Sequence, residues 1–221
     1  MRARSERQDD ELALVLAVGP ELEHAVRELA FGEEGERFVR RFPASAPFAR
    51  RAALRFEACV PALVRQAAGV EPVPWGRALE SVIDRTRESG ADWWLTGSAA
   101  LAVRGLSVQP RDLDLITDSE GGERLAEALC DTLVEPLVDA GGLGRWWARA
   151  FLHARVEWVG EVDPAVDEGG PADFGPYAAA RCEEVVWRNH ELRVPPLEFQ
   201  LAVSERRGLE QRAALIREAL S

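Results

Sequence analysis

Three acidic side chains and one glycine-serine pair carry the chemistry legible in this sequence. Asp112 and Asp114 form an Asp-Leu-Asp run in Arg111-Asp-Leu-Asp-Leu-Ile116. If this run is a strand, both carboxylates project from one face while Leu113 and Leu115 turn into the core. Two adjacent carboxylates repel and raise each other's pKa unless a cation lies between them, and hard oxygen ligands at this spacing suit Mg²⁺ bound together with substrate phosphates. Upstream, Trp94-Leu-Thr-Gly-Ser-Ala-Ala-Leu reads as a strand that ends at Thr96, turns through Gly97-Ser98 and enters a helix at once. Backbone N–H groups and the Ser98 hydroxyl at such a turn suit an anion. Either feature alone is common. Together they set an anion cradle beside a cation-binding pair.

That combination resembles the signature of the nucleotidyltransferase superfamily that includes DNA polymerase beta: an apolar residue, Gly, Gly or Ser, about a dozen residues, then Asp-x-Asp. Here Gly97-Ser98 is followed by residues 99–111 and then Asp112-Leu-Asp114. The wording Thr-Gly-Ser-Ala-Ala-Leu-Ala-Val-Arg-Gly is similar to bacterial minimal nucleotidyltransferases of the antibiotic-modifying and abortive-infection or toxin types. The resemblance is tight over about 25 residues and does not extend to the N-terminal region.

The resemblance implies a third carboxylate on a later strand, for which the candidate is Glu157 in Ala154-Arg-Val-Glu-Trp-Val-Gly160; Glu161 and Asp163, reading as loop, are the alternatives. It implies transfer of a nucleoside monophosphate from an NTP to an acceptor hydroxyl on a small molecule, a protein or an RNA end such as that of a tRNA. Two Mg²⁺ ions would be held by Asp112, Asp114 and Glu157, with Gly97 and Ser98 on the β- and γ-phosphates. The alternative from another class is a catalytically degenerate binding module of the same fold, or a toxin-antitoxin partner. The family's C-terminal lysine has no counterpart: all 27 basic residues are Arg, with Arg206, Arg207 and Arg212 in the last helices. Arg104 and Arg111 flank the motif and are expected in ordinary pairing. His24, His153 and His190 lie too far apart in sequence to suggest a ligand set.

Composition bounds the rest. A chain of 221 residues with 47% hydrophobic content can bury a true core, and a net charge of -11 argues against gripping extended DNA through the overall field. Three cysteines without Cys-x-x-Cys spacing fit a reducing compartment and no structural zinc. No apolar stretch approaches the roughly 20 residues of a membrane span, so a soluble, cytoplasmic protein is expected.

The elements that must position the motif follow from periodicity. The expectation is an α/β (α+β) class: a nucleotidyltransferase-like core over 89–221 with a short mixed sheet and C-terminal helices, preceded by a helical region over 1–88. Leu12, Val15, Leu16, Leu22, Val26, Leu29, Phe38, Phe42, Phe56, Val60 and Leu63 supply the helical spacing of that region. Strands are predicted at Trp93–Leu95, Asp112–Ile116, Arg145–Phe151 and Ala154–Val159, a long helix over Glu123–Val138, and a hairpin across Arg188-Asn-His-Glu191.

Overall fold

A computed structural model describes all residues 1–221. In chain order the elements are β1 (Arg2–Gln8), β2 (Glu11–Ala17), α1 (Glu23–Glu28), β3 (Gly32–Glu34), β4 (Arg37–Pro43), α2 (Ala49–Ala67), α3 (Trp75–Thr86), β5 (Trp93–Thr96), α4 (Gly97–Val103), β6 (Asp112–Thr117), α5 (Ser119–Ala128), β7 (Leu133–Val138), β8 (Gly144–Leu152), β9 (Ala154–Val162), α6 (Pro176–Ala179), β10 (Glu183–Trp187), β11 (His190–Val194), α7 (Leu197–Arg206) and α8 (Glu210–Leu220). The class is mixed α/β, as expected. No helix is long and apolar enough to cross a membrane.

The chain divides into two compact units. The first comprises 1–89, 125–138 and 148–156; the second comprises 90–124, 139–147 and 157–221.

In the first unit the N-terminal third departs from the expected helices. Its sheet runs β1-β2-β4-β3, with β1, β2 and β4 antiparallel in succession. The physical reason is that a spacing of four is even: Phe38 and Phe42 share a face in a strand as well as in a helix. Leu12 to Leu16 is a continuous buried run too short for a packed helix, and β1 pairs with it across a turn in which Asp9 has φ 48°. The expected helices α2 and α3 do form, and α2 buries Phe56, Val60, Leu63 and Val64 along one stripe. The predicted helix over Glu123–Val138 is also corrected: α5 stops at Ala128 and Leu133–Val138 is strand β7. Pro136 disfavours a helix without excluding one, since α2 carries Pro61 in its interior; the near-continuous burial of Leu133 to Leu137 is the pattern of a short strand covered on both faces.

Glu135, only 1% exposed, lies in this unit between two guanidinium groups. Arg149 donates to one carboxylate oxygen, Arg40 Nε lies 3.0 Å from the other, and both arginines also donate to the Leu29 carbonyl, at 2.8 Å from Arg40 and 3.1 Å from Arg149. Burial of Glu135 and Arg149 beside the partly exposed Arg40 is tolerated here because each charge is paired or hydrogen-bonded.

In the second unit, β5, β6 and the Glu157–Val162 part of β9 are neighbours in that order, followed by the start of β8. β5 and β6 are antiparallel, with Thr96 opposite Asp114. Trp94, Ile116, Val159 and Val162 form a buried apolar cluster, and Trp147 and Phe174 pack against it. The predicted β10–β11 hairpin is present; Arg188 and Asn189 both adopt left-handed φ, 46° and 66°, the backbone of a two-residue turn matched to strand twist. Glu161 lies on β9 rather than in a loop and faces Arg145 at 3.7 Å.

Candidate functional site

The site begins where β5 becomes α4. Gly97 occupies the left-handed region at φ +65°, and a Cβ built there would stand 2.7 Å from Asp114 Oδ2. Glycine is therefore required twice, for its backbone angle and for the carboxylate that fills the space a side chain would take. Antiparallel pairing of Thr96 with Asp114 brings the two together. On β6 the alternation is as expected: Leu113 and Leu115 are fully buried, whereas Asp112 and Asp114 are half-buried.

Glu157 is half-buried between fully buried Val156 and nearly buried Trp158, whose Nε1 donates to the Gly122 carbonyl at 3.2 Å. It lies two residues before Val159, as Asp114 lies two before Ile116, and those two apolar residues share one cluster. Both carboxylates accordingly line one cavity of about 250 Å³, with Gly97 at its edge and Trp147, Val159 and Phe174 on an apolar wall. Arg207 and Arg212 line it from the C-terminal helical region, whereas Arg206 is committed to the Pro171 carbonyl at 2.8 Å.

Of the sequence-predicted residues, the cavity brings together Gly97, Asp114 and Glu157. Ser98, the second residue of α4, and Asp112, the first of β6, are half-buried next to it in sequence but are not part of its lining. Arg104 makes the ordinary pairing expected of it, to Glu183 and to the Pro195 carbonyl at 3.0 Å. No three His, Cys, Asp or Glu side chains close on one point as a ready-made ion site. Such closure is not needed for Mg²⁺, which keeps several waters and is commonly held by one or two carboxylates plus substrate phosphates. The donor set, hard carboxylate oxygens with guanidinium groups on the same cavity, fits that mode.

Two residues at the site escaped the sequence reading. Asp173, 6% exposed, lines the cavity from the loop before α6. Burial pushes its carboxyl above the ordinary range; hydrogen bonds involving Thr96 and Gln200, and the charge of Arg212, pull the other way. Its loop is fastened by Asp167, whose carboxylate accepts from Ala172 N at 2.8 Å and Tyr177 N at 3.0 Å. Gln200 on α7, 2% exposed, donates from Nε2 to the Gly97 carbonyl at 2.9 Å. A Pro-Ala-Asp-Phe-Gly-Pro run holding an acid beside an aromatic was the available signal for Asp173. Gln200 had none.

Residues 78–140 match the family model of aminoglycoside-2''-adenylyltransferase. The matched segment is less than a third of the chain. It contains the Gly97-Ser98 turn and both aspartates of the Asp-x-Asp run, and it ends before Glu157 and Asp173. No curated protein matches the chain. Among solved structures, TM1012 of Thermotoga maritima, a protein assigned to the nucleotidyltransferases, is similar at 20% identity over 65% of this chain and 91% of its own, with a TM-score of 0.49. The antibiotic-resistance factor ANT(2'')-Ia is similar at 13% identity over 65% and 83%, TM-score 0.48. The lincosamide antibiotic adenylyltransferase LnuA, bound to lincomycin, is similar at 13% identity over 63% and 94%, TM-score 0.47.

Proposed function

We propose that the protein transfers a nucleoside monophosphate from an NTP to an acceptor hydroxyl, releasing pyrophosphate. The observation that carries this is the Gly97 turn standing against Asp114 on a cavity shared with Glu157, Arg207 and Arg212. In the reaction the acceptor oxygen attacks the α-phosphorus, the bond from that phosphorus to the bridging oxygen of the β-phosphate breaks, and the hydroxyl proton is lost. Asp114 and Glu157, with Asp112 on the same strand face as Asp114, would hold Mg²⁺, most simply two ions. Bound there, the metal supplies Lewis-acid polarisation and charge neutralisation at the phosphoryl oxygens. Glu157 is also the acid suited to receive the acceptor proton. Gly97 and Ser98 approach the β- and γ-phosphates with backbone and hydroxyl donors. Arg207 and Arg212 offer planar forks to the triphosphate and to the pyrophosphate that leaves, the role a lysine could fill only as a point charge. Most of the catalytic effect then comes from positioning and preorganised charge.

A small molecule is the favoured acceptor. The matched family model describes a small-molecule adenylyltransferase, and the net charge of -11 disfavours extended nucleic acid. ATP is the first donor to try. The test is incubation of the protein with each labelled NTP, Mg²⁺ and a panel of hydroxylated antibiotics and tRNA, following label transfer and pyrophosphate. Transfer that Asp114→Asn abolishes supports the reading. Absence of NTP-dependent thermal stabilisation with every donor would instead favour the binding-module alternative.

A further inference from the structure

Gln200 is an amide buried beside the site with no part in the chemistry proposed above. It sits on α7 one turn from Val203, which lines the cavity, so one face of that helix reaches both the cavity wall and the turn at Gly97. Its Nε2 donates to the Gly97 carbonyl at 2.9 Å, across a sequence separation of 103. The side chain is 2% exposed, and its Oε1 is buried without a hydrogen-bond partner. A half-satisfied buried amide costs stability that an apolar side chain of similar size would not. The bond to Gly97 is what it supplies against that cost.

Gly97 is the point of the turn least able to hold itself. On its N-terminal side Thr96 is fixed twice, by its pairing with Asp114 and by its hydroxyl, which donates to the main-chain carbonyl of Asp173 at 3.0 Å. On its C-terminal side α4 is seven residues long, too short to be firm alone. The close approach of Asp114 leaves no room for a Cβ at position 97, and a residue without a Cβ has the widest choice of backbone angles. A carbonyl oxygen has two lone pairs, so the Gln200 amide adds a tertiary donor to any bond that α4 itself provides. The peptide joining Gly97 to Ser98 is trans and planar, so its carbonyl and the Ser98 N–H point in opposite directions, and holding one orients the other.

We propose that Gln200 is a positioning residue of the transfer site: by gripping the Gly97 carbonyl it fixes the torsion of a glycine the site cannot replace, keeps the turn against Asp114 and aims the Ser98 N–H. This role rests on the nucleotidyl-transfer reading, in which Gly97 and Ser98 meet the phosphates.

The test uses the full chain with Gln200→Leu, Gln200→Met and Ser204→Ala. Backbone ¹⁵N order parameters of Gly97 and Ser98 without nucleotide read the turn directly, and NTP affinity in the presence of Mg²⁺ reads the consequence, both well below the melting temperature. Gln200→Leu is expected to lower the order parameters from about 0.85, the rigid range, toward about 0.6. It is also expected to weaken NTP binding by about tenfold, the scale of one lost buried hydrogen bond. Gln200→Met keeps the length of the side chain without a donor; it is expected to do the same, and it carries the test if the leucine variant does not fold. Ser204→Ala is the control, because it removes a buried bond of the same helix, from the Ser204 hydroxyl to the Gln200 carbonyl at 2.6 Å, without touching Gly97. It is expected to lower the melting temperature and leave order parameters and NTP affinity as in the wild type. With wild-type NTP binding intact, an unaltered turn in the Gln200 variants, or a mobile turn with unaltered affinity, overturns the positioning role alone. An equal loss of affinity in Ser204→Ala also overturns it, since the effect would then belong to the stability of α7. Failure of the wild type to bind any NTP overturns the transfer reading, and the role with it, whatever the order parameters show.

Discussion

Substituting Gly97 by alanine tests the centre of the reasoning with one carbon atom. The added Cβ would lie 2.7 Å from Asp114 Oδ2, closer than real Cβ contacts come, on a backbone at φ +65°. Holding an alanine in the left-handed region costs about 1–2 kcal/mol, and the contact adds to that unless something moves. What can move is the carboxylate, by several tenths of an ångström, or the turn. Either shift separates Asp114 from the turn, and a misplacement near 1 Å costs about 10²-fold in rate. Gly105 supplies the control: at φ +88° with nothing within 4 Å, its alanine variant pays the backbone term alone. Rates of pyrophosphate release and denaturant unfolding, measured on both variants, separate the two effects. Gly97→Ala is expected to lose about 10²-fold in rate, whereas Gly105→Ala loses about 1–2 kcal/mol of stability with its rate retained. Equal rates in Gly97→Ala and wild type would refute the argument that the turn and Asp114 act as a unit.

Asp114→Asn keeps the shape and removes the charge, and is expected to lower single-turnover rates by about 10³-fold, some 4 kcal/mol of barrier, with little change in melting temperature. Glu135→Ala leaves Arg40 and Arg149 facing each other without their anion, and urea unfolding is expected to show a loss of about 3–5 kcal/mol, while a variant that also replaces both arginines by leucine recovers much of it. The raised pKa of Asp173 means that the folded state holds its proton more tightly than the unfolded chain does. Its contribution is therefore fully present below the ordinary value of 3.8 and is lost as pH rises through the folded value. Unfolding free energy of the wild type is accordingly expected to fall over that interval more than that of Asp173→Asn, and parallel pH profiles would contradict the burial argument.

The parts of this molecule legible in sequence are those whose pattern admits one geometry. The strand-turn-helix through Gly97 was readable because glycine followed by serine breaks an apolar run, and Asp112 to Leu115 because alternation over four residues has a single strand interpretation. Glu157 was readable through its apolar neighbours Val156 and Trp158. The N-terminal strands were not, since residues four apart satisfy both periods and the pairing of β1 with β2 is decided by hydrogen bonds the pattern does not contain. Over Glu123–Val138 the apolar spacing is continuous across the break at Ala128, so it does not separate α5 from the buried run of β7. Asp173 and Gln200 became visible only with the tertiary structure, because what makes them relevant is that the chain returns them, across sequence separations of 77 and 103, to Thr96 and to Gly97.

The loop that delivers Asp173 has no ladder of backbone bonds to give it shape; much of that task falls to Asp167, whose two oxygens gather the amides of Ala172 and Tyr177, with Gly175 kept bare because a side chain would strike the same carboxylate at 2.6 Å. Order concentrated in a single clasp is inherited by everything the clasp encloses. A change at position 167 would thus be transmitted to the cavity wall although it touches none of the reacting groups, and the first sign of it would be a cut by a protease between residues 168 and 176.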